Sequence, residues 1–137
     1  MAYWLLKSEP SHYSWDQLVA DGRTPWDGVK NAQALINLRA MRRGERAFFY
    51  HSNEGREIVG IVEVIAPFYP DPNDAGGKLG MVDVRPVKAV ARPVTLAAIK
   101  ANPELSGLAL IRQSRLSVCP VSEREWDVLC NMAGVAP

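Results

Sequence analysis

The stretch YWLLKSEP, residues 3–10, begins with four apolar residues and ends on a cation, a hydroxyl, a carboxylate and a proline. Two aromatic and two aliphatic residues in succession suit a buried strand. Pro10 cannot continue a sheet ladder, and it pushes Glu9 towards extended geometry. The strand therefore stops here and presents Lys7, Ser8 and Glu9 at its mouth. Polar groups at such a tip are either solvated or line a hole.

Working outward, the pattern reads as strands joined mostly by hairpins, with short capped helices between them. Ser14-Trp15-Asp16-Gln17 matches a capping box and opens a helix to about Ala20, closed by Asp21-Gly22. Asn31 caps a longer helix that ends at Gly44, with Leu35, Leu38 and Met41 at helical spacing. Glu45–Ser52 and Glu57–Ile65 read as strands about an Asn53-Glu54-Gly55 turn, with Gly60 marking a bulge or a close backbone approach. Residues 66–80 hold three prolines and three glycines and read as a long loop before a strand at Met81–Val90. Thr95 caps a short helix that ends before Pro103, and Ser114–Val118 reads as a further strand. Ser122-Glu123-Arg124-Glu125 is a second capping box, opening a helix that Gly134 stops. The expected fold is α+β: an antiparallel, closed sheet of about five or six strands flanked by short helices. There is neither a βαβ rhythm nor a glycine-rich phosphate loop, which argues against a nucleotide-cofactor Rossmann fold.

The chain has 137 residues, 47% hydrophobic and 23% charged, which suits one domain over 1–137 with an ordinary core. A net charge of +1 argues against a protein that grips long duplexes through many phosphates, but not against recognition of one nucleotide in a pocket. No apolar run approaches the roughly 20 residues that cross a bilayer. Cys119 and Cys130 have no metal spacing and read as core thiols of a reduced, cytoplasmic protein, expected to be a monomer without cofactor or metal.

Chemistry-bearing residues collect at element ends: Lys7, Ser8 and Glu9; Trp26; Asn31; Tyr50, His51 and Ser52; Arg115 and Ser117. An aromatic ring with a few fixed hydrogen-bonding groups suits a flat heterocycle. The Ser52–His51 pair invites a nucleophile reading, but adjacent strand residues point to opposite faces and no nucleophile elbow is present. His12 reads as a surface residue, Trp4 and Trp126 as core, and Trp15 as a staple on the first helix. Trp26, set in a turn between Pro25 and Asp27-Gly28, is the indole placed to stack on a ligand. Asn31 is also explained by capping alone, and Arg39, Arg42, Arg43 and Arg46 by a solvated helix face and its C-terminal end.

The segments YWLLKSEP, WDGVKNAQA (26–34), GERAFFYHSN (44–53), GIVEV (60–64) and SRLSVCPVSEREWDVL (114–129) together resemble the EVE domain family, related to YTH domains within the PUA-like superfamily. The resemblance covers essentially the whole chain, in order. It implies a curved, barrel-like mixed sheet and a non-catalytic reader that holds a modified nucleobase of DNA or RNA. It places Lys7, Ser8 and Glu9 at the base edge, Trp26 as the first cage aromatic, Asn31 beside the pocket, Tyr50, His51 and Ser52 on its other wall, and Arg115 and Ser117 near it. Lys7 and the Arg42–Arg43 neighbourhood would then hold flanking phosphates. Relatives often carry a tryptophan leading into the strand near residue 81, where this chain has Lys78-Leu79-Gly80-Met81; Phe68 or Tyr69 is expected to complete the cage. The rival readings are a protein-interaction or ribonucleoprotein accessory domain without a base pocket, and an enzyme acting on a small heterocycle.

Overall fold

Six strands form one mixed sheet in the computed structural model, which describes all residues, Met1–Pro137. In chain order these are β1 (Tyr3–Ser8), β2 (Thr24–Trp26), β3 (Arg46–His51), β4 (Glu57–Pro70), β5 (Gly80–Thr95) and β6 (Val118–Val121). Their order across the sheet is β2-β5-β4-β3-β1-β6. The helices are α1 (Trp15–Asp21), α2 (Ala32–Ala40), α3 (Leu96–Ala101), the single turn α4 (Ala109–Arg112) and α5 (Glu123–Ala133). The α+β expectation and the mixed sheet hold.

Two features of the expected sheet change. It is not purely antiparallel, because β1 runs parallel to β3. Nor does it close: β2 and β6 remain separate edges. Both edge strands are short, and each carries an exposed proline, Pro25 and Pro120. A proline has no N–H for a further partner, so such strands end a sheet rather than continue it. The Asn37 side chain donates to Val118 O at 2.7 Å, so α2 also occupies a β6 carbonyl.

The caps named in the sequence form. Ser14, Asn31, Thr95 and Ser122 each accept a hydrogen bond from a backbone N–H in the first turn of their helix. The Ser122–Glu125 capping box is complete. Gly22 and Gly134 end α1 and α5 in the left-handed region, with φ of 78° and 72°. Elsewhere the boundaries move. α2 ends at Ala40 rather than Gly44. The long loop shrinks to residues 71–79, because β4 and β5 pair as far as Pro70↔Gly80. Pro67 and Pro70 sit in β4, whose irregular pairing with β5 accommodates residues that cannot donate, while Pro72 stays in the loop. Ser114–Val118 is mostly a turn after α4, and the strand begins only at Val118.

Both faces of the sheet are covered. Phe48 and Phe49 are successive strand residues and point to opposite sides. On one side Trp126 of α5 stacks on Phe48 and on Tyr3, with centroids at 4.0 and 4.4 Å. On the other, Trp15 and Trp26 both meet Phe49 edge-on at 5.6 Å. Trp4 and Trp126 are core residues as expected, as are both cysteines. Glu45, only 3% exposed, was not foreseen. Its carboxylate accepts from the Ala2 N–H, Trp4 Nε1 and the Arg42 N–H at 2.8–3.0 Å, tying the start of β1 to the turn before β3.

Candidate nucleobase-binding cleft

The gap between the two sheet edges is an open cleft of about 510 Å³. On one side stand Lys7 and Ser8 at the tip of β1, with Glu9 just beyond and Ser117 just before β6. On the other stand Thr24, Pro25 and Trp26 of β2, followed by Asp27–Lys30. β2 hydrogen-bonds only to β5, yet Trp26 touches Phe49 of β3. The sheet therefore curls until its edges face one another, and the failure to close leaves the cleft. Trp26 is the last residue of β2 rather than part of a turn, and with 8% of its surface exposed it forms a wall more than a flap. His12 and Tyr13, from the turn after Pro10, complete the rim.

Fixed hydrogen bonds hold the β1 tip. The Lys7 N–H donates to Ser117 O at 3.0 Å, and the Ser52 N–H donates to Ser8 O at 2.9 Å. The Ser8 hydroxyl donates to Tyr13 O at 2.6 Å, which leaves its lone pairs as acceptors. Lys7 Nζ donates to Ser114 O at 2.9 Å and keeps two further protons. Burial holds the Lys7 ammonium below the usual lysine range, opposed in part by Cys119. The Cys119 thiol is pushed up to about 11 by its own burial. The Tyr13 hydroxyl donates to Asp21 at 2.8 Å, anchoring the rim to α1.

The remaining expected site residues lie elsewhere. Asn31 caps α2 through Ala34 N at 3.0 Å and, with Arg115, lines a separate adjoining groove of about 330 Å³. Tyr50, His51 and Ser52 do not line the cleft. Tyr50 and His51 pair with Lys7 and Ser8 on the neighbouring strand, past a register shift between Phe49 and Tyr50. Tyr50 is 3% exposed. His51 Nε2 accepts the Trp15 N–H at 3.1 Å, so the ring secures the start of α1. The expected cage partners are engaged elsewhere too. Phe68 lies under the Arg39 guanidinium, 5.0 Å from its centroid, and the Tyr69 hydroxyl donates to Asp83 at 2.6 Å. That bond and burial push the Tyr69 hydroxyl up to about 12.

Sequence reasoning missed Tyr13, His12 and the run Asp27–Lys30 as cleft residues. A signal existed for the run, since Gly28 adopts φ 71° directly after Trp26 and turns the chain along the rim. For Tyr13 there was none, because its position follows from how the Glu9–Tyr13 turn folds back, with Tyr13 N donating to Glu9 O at 2.8 Å.

Comparison with known proteins finds relatives that share the fold along essentially the whole chain. The chain is 32% identical to human thymocyte nuclear protein 1 (THYN1) over 99% of its own length and 76% of that protein. The crystal structure of human THYN1 in complex with 5-methylcytosine containing DNA superposes with a TM-score of 0.91, covering 100% of both chains. An NMR structure of a Rhodopseudomonas palustris protein is 57% identical, with a TM-score of 0.93 over 98% of this chain and 94% of that one. A YTH domain from Zygosaccharomyces rouxii, at 14% identity and a TM-score of 0.60, shares the fold. One expectation is overturned: the human, rat and chicken relatives are named as nuclear proteins, so the cytoplasmic assignment is withdrawn. Reduced, buried thiols distinguish a reducing from an oxidising compartment and do not separate nucleus from cytoplasm. The family model for the EVE domain matches residues 2–132, and the chain belongs to the EVE domain family.

Proposed function

We propose that this protein is a non-catalytic reader that holds one modified nucleobase of DNA or RNA in the cleft between its sheet edges. The observation that carries the reading is a Trp26-walled gap at the polar tip of β1, in a chain whose full length superposes on human THYN1 in complex with 5-methylcytosine containing DNA.

The chemistry runs as follows. A base leaves its stack at a cost of a few kcal/mol, less from a single strand. Stacking on the Trp26 indole returns about 1–3 kcal/mol. The Ser8 hydroxyl, its proton committed to Tyr13, accepts from an exocyclic amine of the base. The spare Lys7 protons, from the same strand tip, and Ser117, just before β6, meet the base edge beside it. Val29 supplies an apolar recess for a methyl group. One buried methyl contributes only about 0.8 kcal/mol, so selectivity also needs an unmodified base to leave that recess badly filled. Tyr50, His51 and Ser52 support the wall from behind and do not touch the base. The position of His51 supports the non-catalytic reading against a Ser52–His51 nucleophile pair, because its Nε2 accepts the Trp15 backbone N–H and the residue does not line the cleft.

The test is the affinity of a single-stranded oligonucleotide carrying one 5-methylcytosine against its unmodified twin. The parent protein is expected to prefer the modified strand, and Ser117→Trp, which fills the cleft from a half-buried position, to lose binding while keeping its fold by circular dichroism. Both strands are expected back unchanged by mass spectrometry. Equal affinity for the two strands, or an altered base, contradicts the reading.

A further inference from the structure

The groove beside the cleft is unused by the chemistry described so far. It is lined by Asn31, Gln33, Arg112, Ser114, Arg115 and Leu116, among others. It opens next to the cleft at two places. Lys30 lines the cleft and Asn31 the groove, and Ser117 lines the cleft while Leu116 lines the groove. The Lys7 side chain forms the ridge between them, its Nζ bonded to Ser114 O at 2.9 Å. A strand whose base enters the cleft therefore has its backbone led past Lys7 into the groove.

The groove is cationic and no carboxylate lines it. The three ion pairs of the molecule use Arg23, Arg85 and Arg124, which leaves Arg112 and Arg115 without a carboxylate partner. Planar guanidinium groups present paired donors that match phosphate oxygens. The amide nitrogens of Asn31 and Gln33 also line the groove as donors: Asn31 spends only its oxygen on the Ala34 N–H, and Gln33 Nε2 spends one proton on Asn37 Oδ1. The Arg42–Arg43 pair lies beyond the other end of α2, about 13 Å of helix away, and Arg39 is already bonded to Lys78 O.

We propose that this groove binds the backbone phosphate of the nucleotide flanking the base in the cleft, with Arg112 and Arg115 as its cationic contacts. The proposal deepens the base-reader reading and reassigns Arg115 from the base to the phosphate. Phosphate contacts fix register and affinity and carry no sequence information. The two neighbouring sites therefore separate the work: the cleft discriminates and the groove holds.

The experiment measures binding of the same two oligonucleotides, modified and unmodified, across a salt series for the parent and for Arg112→Gln/Arg115→Gln. Both arginines are exposed, so the double variant is expected to fold normally. Each lost single-strand phosphate contact lowers the slope of log affinity against log salt by about 0.7. The double variant, which loses one phosphate contact, is expected to show a slope shallower by about 0.7 and several-fold weaker binding to both strands, with their affinity ratio unchanged. The free 5-methyldeoxycytidine nucleoside, which has no phosphate, is expected to bind parent and variant alike. An unchanged slope, or a ratio that collapses with the arginines, overturns the proposal. A parent without base preference whose slope still falls on substitution removes the base-reader reading and leaves the phosphate groove standing.

Discussion

Trp15 and Trp26 approach the same phenylalanine from two sides, each edge-on at 5.6 Å and each 8% exposed. By burial and by ring geometry they are nearly interchangeable. What lies beyond each ring differs. Trp15 lies against Gly60, so closely that a side chain there would collide with its six-membered ring, and its backbone N–H is taken by His51. Trp26 lies at the edge of the sheet and borders open space. The first indole is sealed in by backbone and the second is left as a wall. Burial alone therefore does not identify the functional tryptophan; the neighbour across the ring does.

The largest expected effect breaks the sealed side. Gly60→Val forces a side chain into the Trp15 ring within a closed layer, where overpacking costs about 1–3 kcal/mol or more. Urea unfolding is expected to show that loss. Because the site lies on the other flank of Phe49, the surviving folded protein is expected to keep its base preference. Next comes the open side. Trp26→Ala is expected to remove the stacking contribution, about 1–3 kcal/mol, or roughly fivefold to 150-fold in oligonucleotide affinity. Its stability loss should fall below that of Trp15→Ala, because Trp26 borders the cleft whereas Trp15 is packed onto the Gly60 backbone. Equal stability losses with unchanged affinity would erase the distinction between the two indoles.

A smaller effect sharpens the comparison at the β1 tip. Ser8→Ala deletes the 2.6 Å bond to Tyr13 O, worth about 1 kcal/mol, and frees the rim turn. Calorimetry is expected to show a modest loss of stability together with weaker base preference. The smallest effect is a pH response on the sealed side. Burial lowers the His51 pKa below its ordinary 6.5, opposed by the Glu57 and Asp16 carboxylates. The unfolded chain therefore takes up a proton near pH 6.5 that the folded chain still refuses. The His51 contribution is whole above pH 6.5 and declines as the pH falls from there towards the lowered folded value. Protonation also removes the Nε2 acceptor for the Trp15 N–H. His51→Asn is expected to flatten the stability profile as the pH falls below 6.5, without changing base preference at neutral pH.

Much of the fold could be read from local chemistry. The four side-chain caps at Ser14, Asn31, Thr95 and Ser122 depend on residues three apart, so they are visible in the sequence. The end of β1 at Ser8 is equally local, set by Pro10. Gly60 carried its meaning too, and turned out to mark both a register shift and a close approach. Closure of the sheet was not legible, because it depends on whether two edges far apart in sequence pair. Pro25 and Pro120 each hinted at an edge, but neither shows that the two edges would face each other. For the same reason the site was half legible. Lys7, Ser8, Glu9, Trp26 and Ser117 share the cleft. Tyr50, His51 and Ser52 form a polar strand end that looks identical in sequence, yet Tyr50 and His51 are paired on both sides, with β1 and β4, whereas the β1 tip at Lys7 and Ser8 runs past the end of its pairing with β6.

The most direct measurement of whether Trp26 meets the base follows the indole N–H resonances of the four tryptophans as a 5-methylcytosine oligonucleotide is added to ¹⁵N-labelled protein. The Trp26 signal, assigned by its absence in Trp26→Phe, is expected to move by far the most, while those of Trp4, Trp15 and Trp126 stay nearly in place. A titration in which binding saturates with the Trp26 signal unmoved would contradict this expectation.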